Sequence, residues 1–193
     1  MFEYIKGDLN DLTPTAVIVE NHGMGYYINI TLNTYSQLSG HTSAQLYLHQ
    51  VIRDDAHLLF GFKELKERDV FRLLISVSGV GANTARMMLS SLTSEEIKKA
   101  IFSNNSKTLQ DVKGIGAKTA QRIIIELKDK IGKEEEMGEI VLAQDNTIRE
   151  EALSALVMLG FAKNSIAKVL DKIIKANAPS SVEELIKIAL KQL

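Results

Sequence analysis

Apolar positions change period once along the chain, near residue 63. Over residues 1–63, short runs rich in β-branched and aromatic side chains occur at Met1–Lys6, Thr15–Glu20, Tyr26–Thr31, Ala44–Gln50 and His57–Phe62, separated by turn-forming stretches such as Asp11–Pro14 and His22–Gly25. That texture predicts roughly five β-strands, with Asn33–Leu38 as a short helical turn among them. So few strands cannot build a sandwich, and the expected arrangement is a small barrel. From Lys63 onward the period becomes helical, with Leu65, Val70, Leu73, Leu74 and Val77 on one face and Lys66, Arg68 and Arg72 among the charges elsewhere. Short helices follow, one opened by the capping box Thr93-x-x-Glu96. Residues 134–146, with Glu134-Glu135-Glu136, Gly138 and no aromatic side chain, read as a flexible acidic linker, the alternative being a solvated helix end. A second box, Thr147-x-x-Glu150, then introduces the stripe Ala152, Leu153, Leu156 and Leu159, which stops at Gly160. Another stripe runs through Ile166, Val169, Leu170, Ile173 and Ile174, and Ser181-x-x-Glu184 opens a last helix. The pattern predicts an α+β multidomain chain: a barrel over 1–63, a helical domain over 64–133, the linker, and a three-helix unit over 147–193.

Composition changes this picture in one respect. The 193 residues carry 23 Lys+Arg against 24 Asp+Glu, a net charge of −1, which argues against a simple basic nucleic-acid coat. The average is a cancellation: residues 1–63 sum to −3, 64–133 to +5, 134–148 to −5 and 149–193 to +2. There is no cysteine, which removes disulfides, thiolate zinc sites and cysteine nucleophiles together. No apolar run approaches the roughly 18 residues of a membrane span, and MFEYIKGDLN lacks the regions of a signal peptide, so the expected location is the cytoplasm.

The most specific feature is a duplication 35 residues apart, in which Val77-Ser78-Gly79-Val80-Gly81-Ala82-Asn83-Thr84-Ala85 recurs as Val112-Lys113-Gly114-Ile115-Gly116-Ala117-Lys118-Thr119-Ala120. Each copy ends one apolar helical stretch and opens another. The glycines permit a tight turn, the small Ala85 and Ala120 let two helices approach, and Val80 or Ile115 plugs between them. What stays exposed is a set of N–H groups at a helix start, a place for a phosphate oxygen. A dinucleotide fingerprint would need a third glycine at Thr84 or Thr119, and a P-loop would need Lys directly after Gly, where Ala117 intervenes. The expected backbone-binding residues are Gly79, Val80, Gly81, Asn83, Thr84, Gly114, Ile115, Gly116, Lys118 and Thr119. Arg86 and Arg122, one turn further on, are candidates for reaching neighbouring phosphates, the alternative being a solvated helix face.

The paired pattern resembles the helix-hairpin-helix motif, a sequence-independent reader of nucleic-acid backbones. The order of barrel, tandem hairpins, acidic linker and three-helix tail resembles the RuvA family over essentially the whole chain. The resemblance is closest in Gly7–Leu9 (GDL), Val51–Phe62 (VIRDDAHLLFGF), Gly79–Gly81 (GVG) and Asp111–Ile131 (DVKGIGAKTAQRIIIELKDKI). It implies an OB-type barrel and a homotetramer or octamer that holds a four-way Holliday junction open. It also implies a hexameric ATPase partner, RuvB, contacted through residues 147–193, a RuvC resolvase partner, and roles in recombination, DNA repair and the SOS response. The family's acidic pin matches Asp54 and Asp55, which composition alone would read as an ordinary hairpin turn. Many relatives have Pro-Lys where this chain has Ala82-Asn83, so its first hairpin lacks one charge.

An enzyme reading finds few catalytic groups. His22, His41, His49 and His57 have no metal-ligand spacing, the chain beyond the second hairpin continues as a helix where a glycosylase needs a catalytic loop, and Asp54-Asp55 alone makes no nuclease site. A non-catalytic subunit without a cofactor is expected. The alternative is a general helix-hairpin-helix adaptor with no preference for junctions. Met158, Leu170 and Leu190 are candidates for touching the motor.

Overall fold

The computed structural model describes residues 2–140, 147–177 and 181–192. It divides into two compact units, Met1–Gly132 and Lys133–Leu193.

The first unit begins with five strands, β1 (Tyr4–Thr13), β2 (Ala16–Asn21), β3 (Met24–Asn29), β4 (Ser43–Ile52) and β5 (His57–Phe62), with helix α1 (Leu32–Leu38) between β3 and β4. They close in the order β1-β2-β3-β5-β4, all neighbours antiparallel except β3 with β5. This is the OB-type barrel the resemblance implied. The strand period is visible in β4, where Ala44, Leu46 and Leu48 point inward to join Ile5, Val17, Val19, Ile28 and Ile30. β1 is longer than its apolar run, because Asp8, Leu9 and Asn10 pair with Glu20, Val19 and Ile18 before a register shift. His22 and Gly23, both at positive φ (51° and 81°), turn β2 into β3.

Helix α2 (Leu65–Ile75) joins the barrel to the helical region and buries Val70 and Leu74 as predicted, with Val77 just beyond it, but not Leu65. Leu65 is 43% exposed, whereas Phe71 is fully buried and Arg68 nearly so. The helix lies against the barrel wall: the Phe71 ring packs on Phe60 (5.2 Å), Phe62 (4.9 Å) and His49 (5.4 Å). Burying such a ring contributes about 1.5–3 kcal/mol. Arg68 lies over the Tyr47 ring and pairs with Glu3, whose carboxylate also faces Arg72. Barrel residues Phe60 and Phe62 therefore belong to the same core as the helical region.

That region comprises α3 (Ala82–Ser91), α4 (Ser94–Phe102), α5 (Ser106–Gln110) and α6 (Ala117–Ile140). The Thr93–Glu96 capping box forms with both of its hydrogen bonds. The predicted linker needs correction in its first half. Residues 134–140 continue α6, since the run Glu134-Glu135-Glu136-Met137 consists of good helix formers and no proline stops it. Residues 141–146 lie outside the described ones.

The second unit holds α7 (Thr147–Met158), α8 (Lys163–Asn177) and α9 (Val182–Ala189), the three helices predicted. Ala152, Leu156, Ile166, Leu170, Ile173, Leu185 and Ala189 form its core. Gly160 (φ 95°) ends α7, with Phe161 N–H donating to the Leu156 carbonyl and Gly160 N–H to that of Val157, a Schellman arrangement. Leu159, predicted in the buried stripe, is 61% exposed because it falls in this turn. Ser181 caps α9 by accepting from Glu184 N–H, while the side chain of Thr147, predicted to cap α7, lies outside the described ones.

Candidate nucleic-acid interface

The two copies of the duplicated sequence fold into the same turn. Val80 N–H donates to the Val77 carbonyl at 3.0 Å, and Ile115 N–H to that of Val112 at 3.1 Å. The third residue of each turn is a glycine at positive φ, Gly79 at 89° and Gly114 at 91°, as a type II turn requires. Helices then begin at once: Ala85 N–H bonds Gly81 O and Ala120 N–H bonds Gly116 O, each at 2.9 Å. Gly81 is extended (φ −83°, ψ 166°) and no side chain caps α3, so the amides of its first turn have no intrahelical partner. A Cβ built on Gly81, Gly114 or Gly116 would meet nothing within 4 Å, so both helix starts open to solvent.

Two of the expected contact residues need reassignment. Val80 and Ile115 are each only 5% exposed, and their amides are spent inside the turn, so they hold the hairpin and have no donor left for a ligand. Asn83 and Lys118 are exposed at the first helical turns, and Thr84 and Thr119 are half-buried beside them. Lys113, exposed on the second turn where the first has Ser78, adds a charge that the repeat did not signal, because the position differs between the two copies.

The two arginines are also placed differently from expectation. Arg86 Nη1 donates to Asn29 Oδ1 (3.0 Å) and to the Thr15 carbonyl (3.2 Å), both in the barrel. Arg122 Nη1 donates to the Ser78 carbonyl at 3.1 Å, joining the helix of the second hairpin to the turn of the first. Both side chains brace the protein.

The acidic residues stand at a tip between β4 and β5. Arg53 N–H donates to the Ala56 carbonyl at 2.8 Å and Ala56 N–H returns to Arg53 O at 3.4 Å, leaving Asp54 and Asp55 outside the ladder and exposed. Neither carboxylate has an ion-pair partner among the described residues. A solvated pair of like charges repels phosphate and attracts nothing nearby.

A buried carboxylate lies between barrel and helices. Glu67 accepts from Thr31 Oγ1 at 2.6 Å and from Thr34 Oγ1 at 2.8 Å, while Thr31 Oγ1 itself caps α1 by accepting from Thr34 N–H. Burial pushes the Glu67 carboxyl up from its ordinary range, against the pull of the two hydroxyl donors. Its apolar-face neighbours hid it in the sequence. Among the histidines, His49 packs edge-on to Phe71, and burial with the Arg72 and Arg68 guanidiniums nearby pushes its pKa down. His22 contacts Asn21, and His41 and His57 are exposed. Among the described residues no group of three His, Cys, Asp or Glu side chains could hold a metal ion, and no helix is long and apolar enough to cross a membrane.

In the second unit, Met158 is 86% exposed and Leu190 43%, so both remain available for contact. Leu170 is fully buried and belongs to the core, which corrects its candidacy.

A five-stranded OB-type barrel sharing a core with two glycine hairpins, each opening a helix at an exposed glycine, defines the class as a tandem helix-hairpin-helix protein. Family models match the chain in three consecutive pieces: the RuvA N terminal domain over residues 1–61, a SAM-like helix-hairpin-helix tandem over 71–129, and the RuvA C-terminal domain over 147–193. The chain belongs to the RuvA family. It is 51% identical over 193 residues to a protein of Christiangramia forsetii, 46% over 202 residues to one of Bacteroides fragilis and 51% over 196 residues to one of Parabacteroides distasonis. The full length of both chains is covered each time, and each relative is named Holliday junction branch migration complex subunit RuvA.

Proposed function

We propose that this protein binds four-way DNA junctions by shape, without reading sequence, and holds them open for branch migration in recombination and repair. The observation that carries the reading is the pair of type II turns, each opening a helix at an exposed glycine, on the same compact unit as the exposed Asp54-Asp55 tip. Amides and the Lys113 and Lys118 ammoniums take phosphate oxygens of an arm; such contacts position the protein and carry no base information. Asn83 leaves the first hairpin to bind through its amides. Each contact is weak, and a homotetramer, alone or paired as an octamer, sums them over four arms. The two carboxylates repel a continuous duplex and are tolerated only where strands separate, which turns backbone affinity into preference for a branch. The chain does no hydrolysis: a RuvB-type hexameric ATPase docks on the three-helix unit and drives migration, and a RuvC-type resolvase acts on the same junction, in the cytoplasm.

Competition binding tests this. A labelled four-way junction should resist displacement by linear duplex of equal length, at least tenfold in concentration on the scale of structure-specific over non-specific binding. Equal displacement would establish the general adaptor instead. Strand cleavage of the junction by purified protein with Mg²⁺ would overturn the non-catalytic reading.

A further inference from the structure

We propose that Asn29 and Arg86 form a polar strut fixing the first hairpin at a set distance from the acidic tip, which makes both of them positioning residues for junction selectivity. The selectivity half of this inference rests on the function proposed above; the geometric half does not.

Asn29 ends β3 and bridges in two directions. Its Nδ2 donates to the Leu59 carbonyl at 3.1 Å, and its Oδ1 accepts from Arg86 Nη1 at 3.0 Å. Leu59 lies on β5, three residues after Ala56, which closes the turn bearing Asp54 and Asp55. Arg86 lies on α3, five residues after Gly81, the residue that caps this helix. The route from tip to hairpin therefore runs through a strand, one carboxamide, one guanidinium and a helix, with no loop along it. Arg86 Nη1 is held a second time by Thr15 O, the same carbonyl that accepts from Ile30 N–H, so the guanidinium is fixed against the end of β3 and the β1–β2 turn.

The rest of α3 is attached further from the hairpin. Asn33 Nδ2 donates to the Leu89 carbonyl at 2.6 Å and Leu32 N–H to Ser90 Oγ at 3.1 Å, both near the C-terminal end of the helix. Ala82, Ala85 and Met88 pack α3 into the core, and apart from Arg86 those two bonds are its polar ties to the barrel side among the described residues, both at the end away from the hairpin. Arg86 supplies a second point of attachment, nearer the hairpin. All acceptors of Arg86 are neutral, so its charge is uncompensated by them, and a plain electrostatic role on DNA is the rival explanation. Asn29 separates the two, because it carries no charge and acts only through the strut.

The test uses the full chain in four forms: wild type, Asn29→Leu, Arg86→Gln and the double variant. Junction and duplex affinities are measured for each, together with thermal stability. The strut predicts that each single change lowers junction-over-duplex discrimination roughly five- to tenfold, the worth of a lost hydrogen-bonded bridge. The double variant falls no further than the singles. If Asn29→Leu keeps wild-type discrimination, or if the two effects multiply in the double variant, the strut is overturned and Arg86 acts as a charge. A second measurement needs no DNA and keeps its meaning if wild type shows no junction preference. The chain has no native cysteine, so His57→Cys and Ser78→Cys place one label beside the tip and one on the first turn. The label-to-label distance distribution should broaden in Arg86→Gln and in Asn29→Leu, each of which removes the bond between the two side chains. An unchanged distribution in both overturns the geometric claim, whereas broadening without lost discrimination overturns the selectivity claim alone.

Discussion

Thr31 Oγ1 donates to Glu67 Oε1 at 2.6 Å, and the same hydroxyl oxygen accepts from Thr34 N–H, so one side chain caps α1 and ties it to α2. Because burial raises the Glu67 pKa above its ordinary 4.5, the folded protein holds the proton more tightly than the unfolded chain does. Its contribution to stability is complete below that ordinary value and is lost as pH rises through the raised one. Glu67→Gln should flatten this part of the profile and leave the melting temperature at neutral pH equal or higher. Glu67→Ala orphans two buried hydroxyls and should cost about 2–4 kcal/mol. Thermal melts of both variants between pH 4 and 8, a range bracketing the ordinary carboxylate value, check this; a steeper profile for Glu67→Gln refutes it.

His49 works in the opposite sense. Burial first, then Arg72 and Arg68, press its pKa below 6.5, so the unfolded chain takes up the proton more readily. Its contribution is present in full above 6.5 and is lost as pH falls toward the depressed value. His49→Gln should remove that loss, giving a shallower decline in melting temperature on acidification below 6.5. A decline as steep as wild type would assign the acid sensitivity elsewhere, for example to the ion pair of Glu3 with Arg68, whose carboxyl that arginine holds below the ordinary range.

What the chain revealed before folding was whatever depends on near neighbours. Strand alternation, the capping box at Thr93 and both hairpins are local, and the repeat made Gly79 and Gly114 legible because a type II turn needs positive φ at that one place. Arg68 and Arg86 were misread for the converse reason. A charge on an amphipathic helix reads as solvated, and its actual partners lie 65 and 57 residues away at Glu3 and Asn29. Leu65 and Leu159 erred the other way, since helical spacing marks an apolar face without saying where the helix meets the barrel or stops.

The hairpin glycines do different work, and substitutions separate the roles. Gly114 needs its positive φ, so any L side chain strains the turn there. Gly116 has an ordinary φ and open space at its Cβ, so Gly116→Ala should fold normally and bind DNA nearly as wild type. Gly116→Asp adds a charge at the proposed phosphate contact and should weaken junction binding by tenfold or more, a loss of about 1.4 kcal/mol or greater. Wild-type affinity for a folded Gly116→Asp protein would remove the second hairpin from the interface.

In the three-helix unit, Met158 and Leu159 are exposed at the end of α7, whereas Leu170 is core. If the proposed RuvB-type ATPase docks here, Met158→Asp with Leu159→Ser should leave folding and junction affinity unchanged while abolishing stimulation of that ATPase. Leu170→Asp should unfold the unit. Normal ATPase stimulation by the first variant would exclude the α7 end as the docking point.

The acidic tip makes the sharpest demand on the proposed function. Asp54 and Asp55 lie outside the β4–β5 ladder and form no ion pair among the described residues, so replacing both with Asn removes charge and breaks no contact in the fold. Stability should stay within about 0.5 kcal/mol of wild type, as for surface positions generally. If the carboxylates act by repelling phosphate, Asp54→Asn with Asp55→Asn leaves junction affinity equal or raised and increases affinity for linear duplex. The gain should shrink as salt is added, because screening already weakens the repulsion in wild type. If the residues instead made favourable contacts at the crossover, junction affinity would fall and duplex affinity would not change. Gel-shift titrations of the two substrates at two salt concentrations distinguish these outcomes.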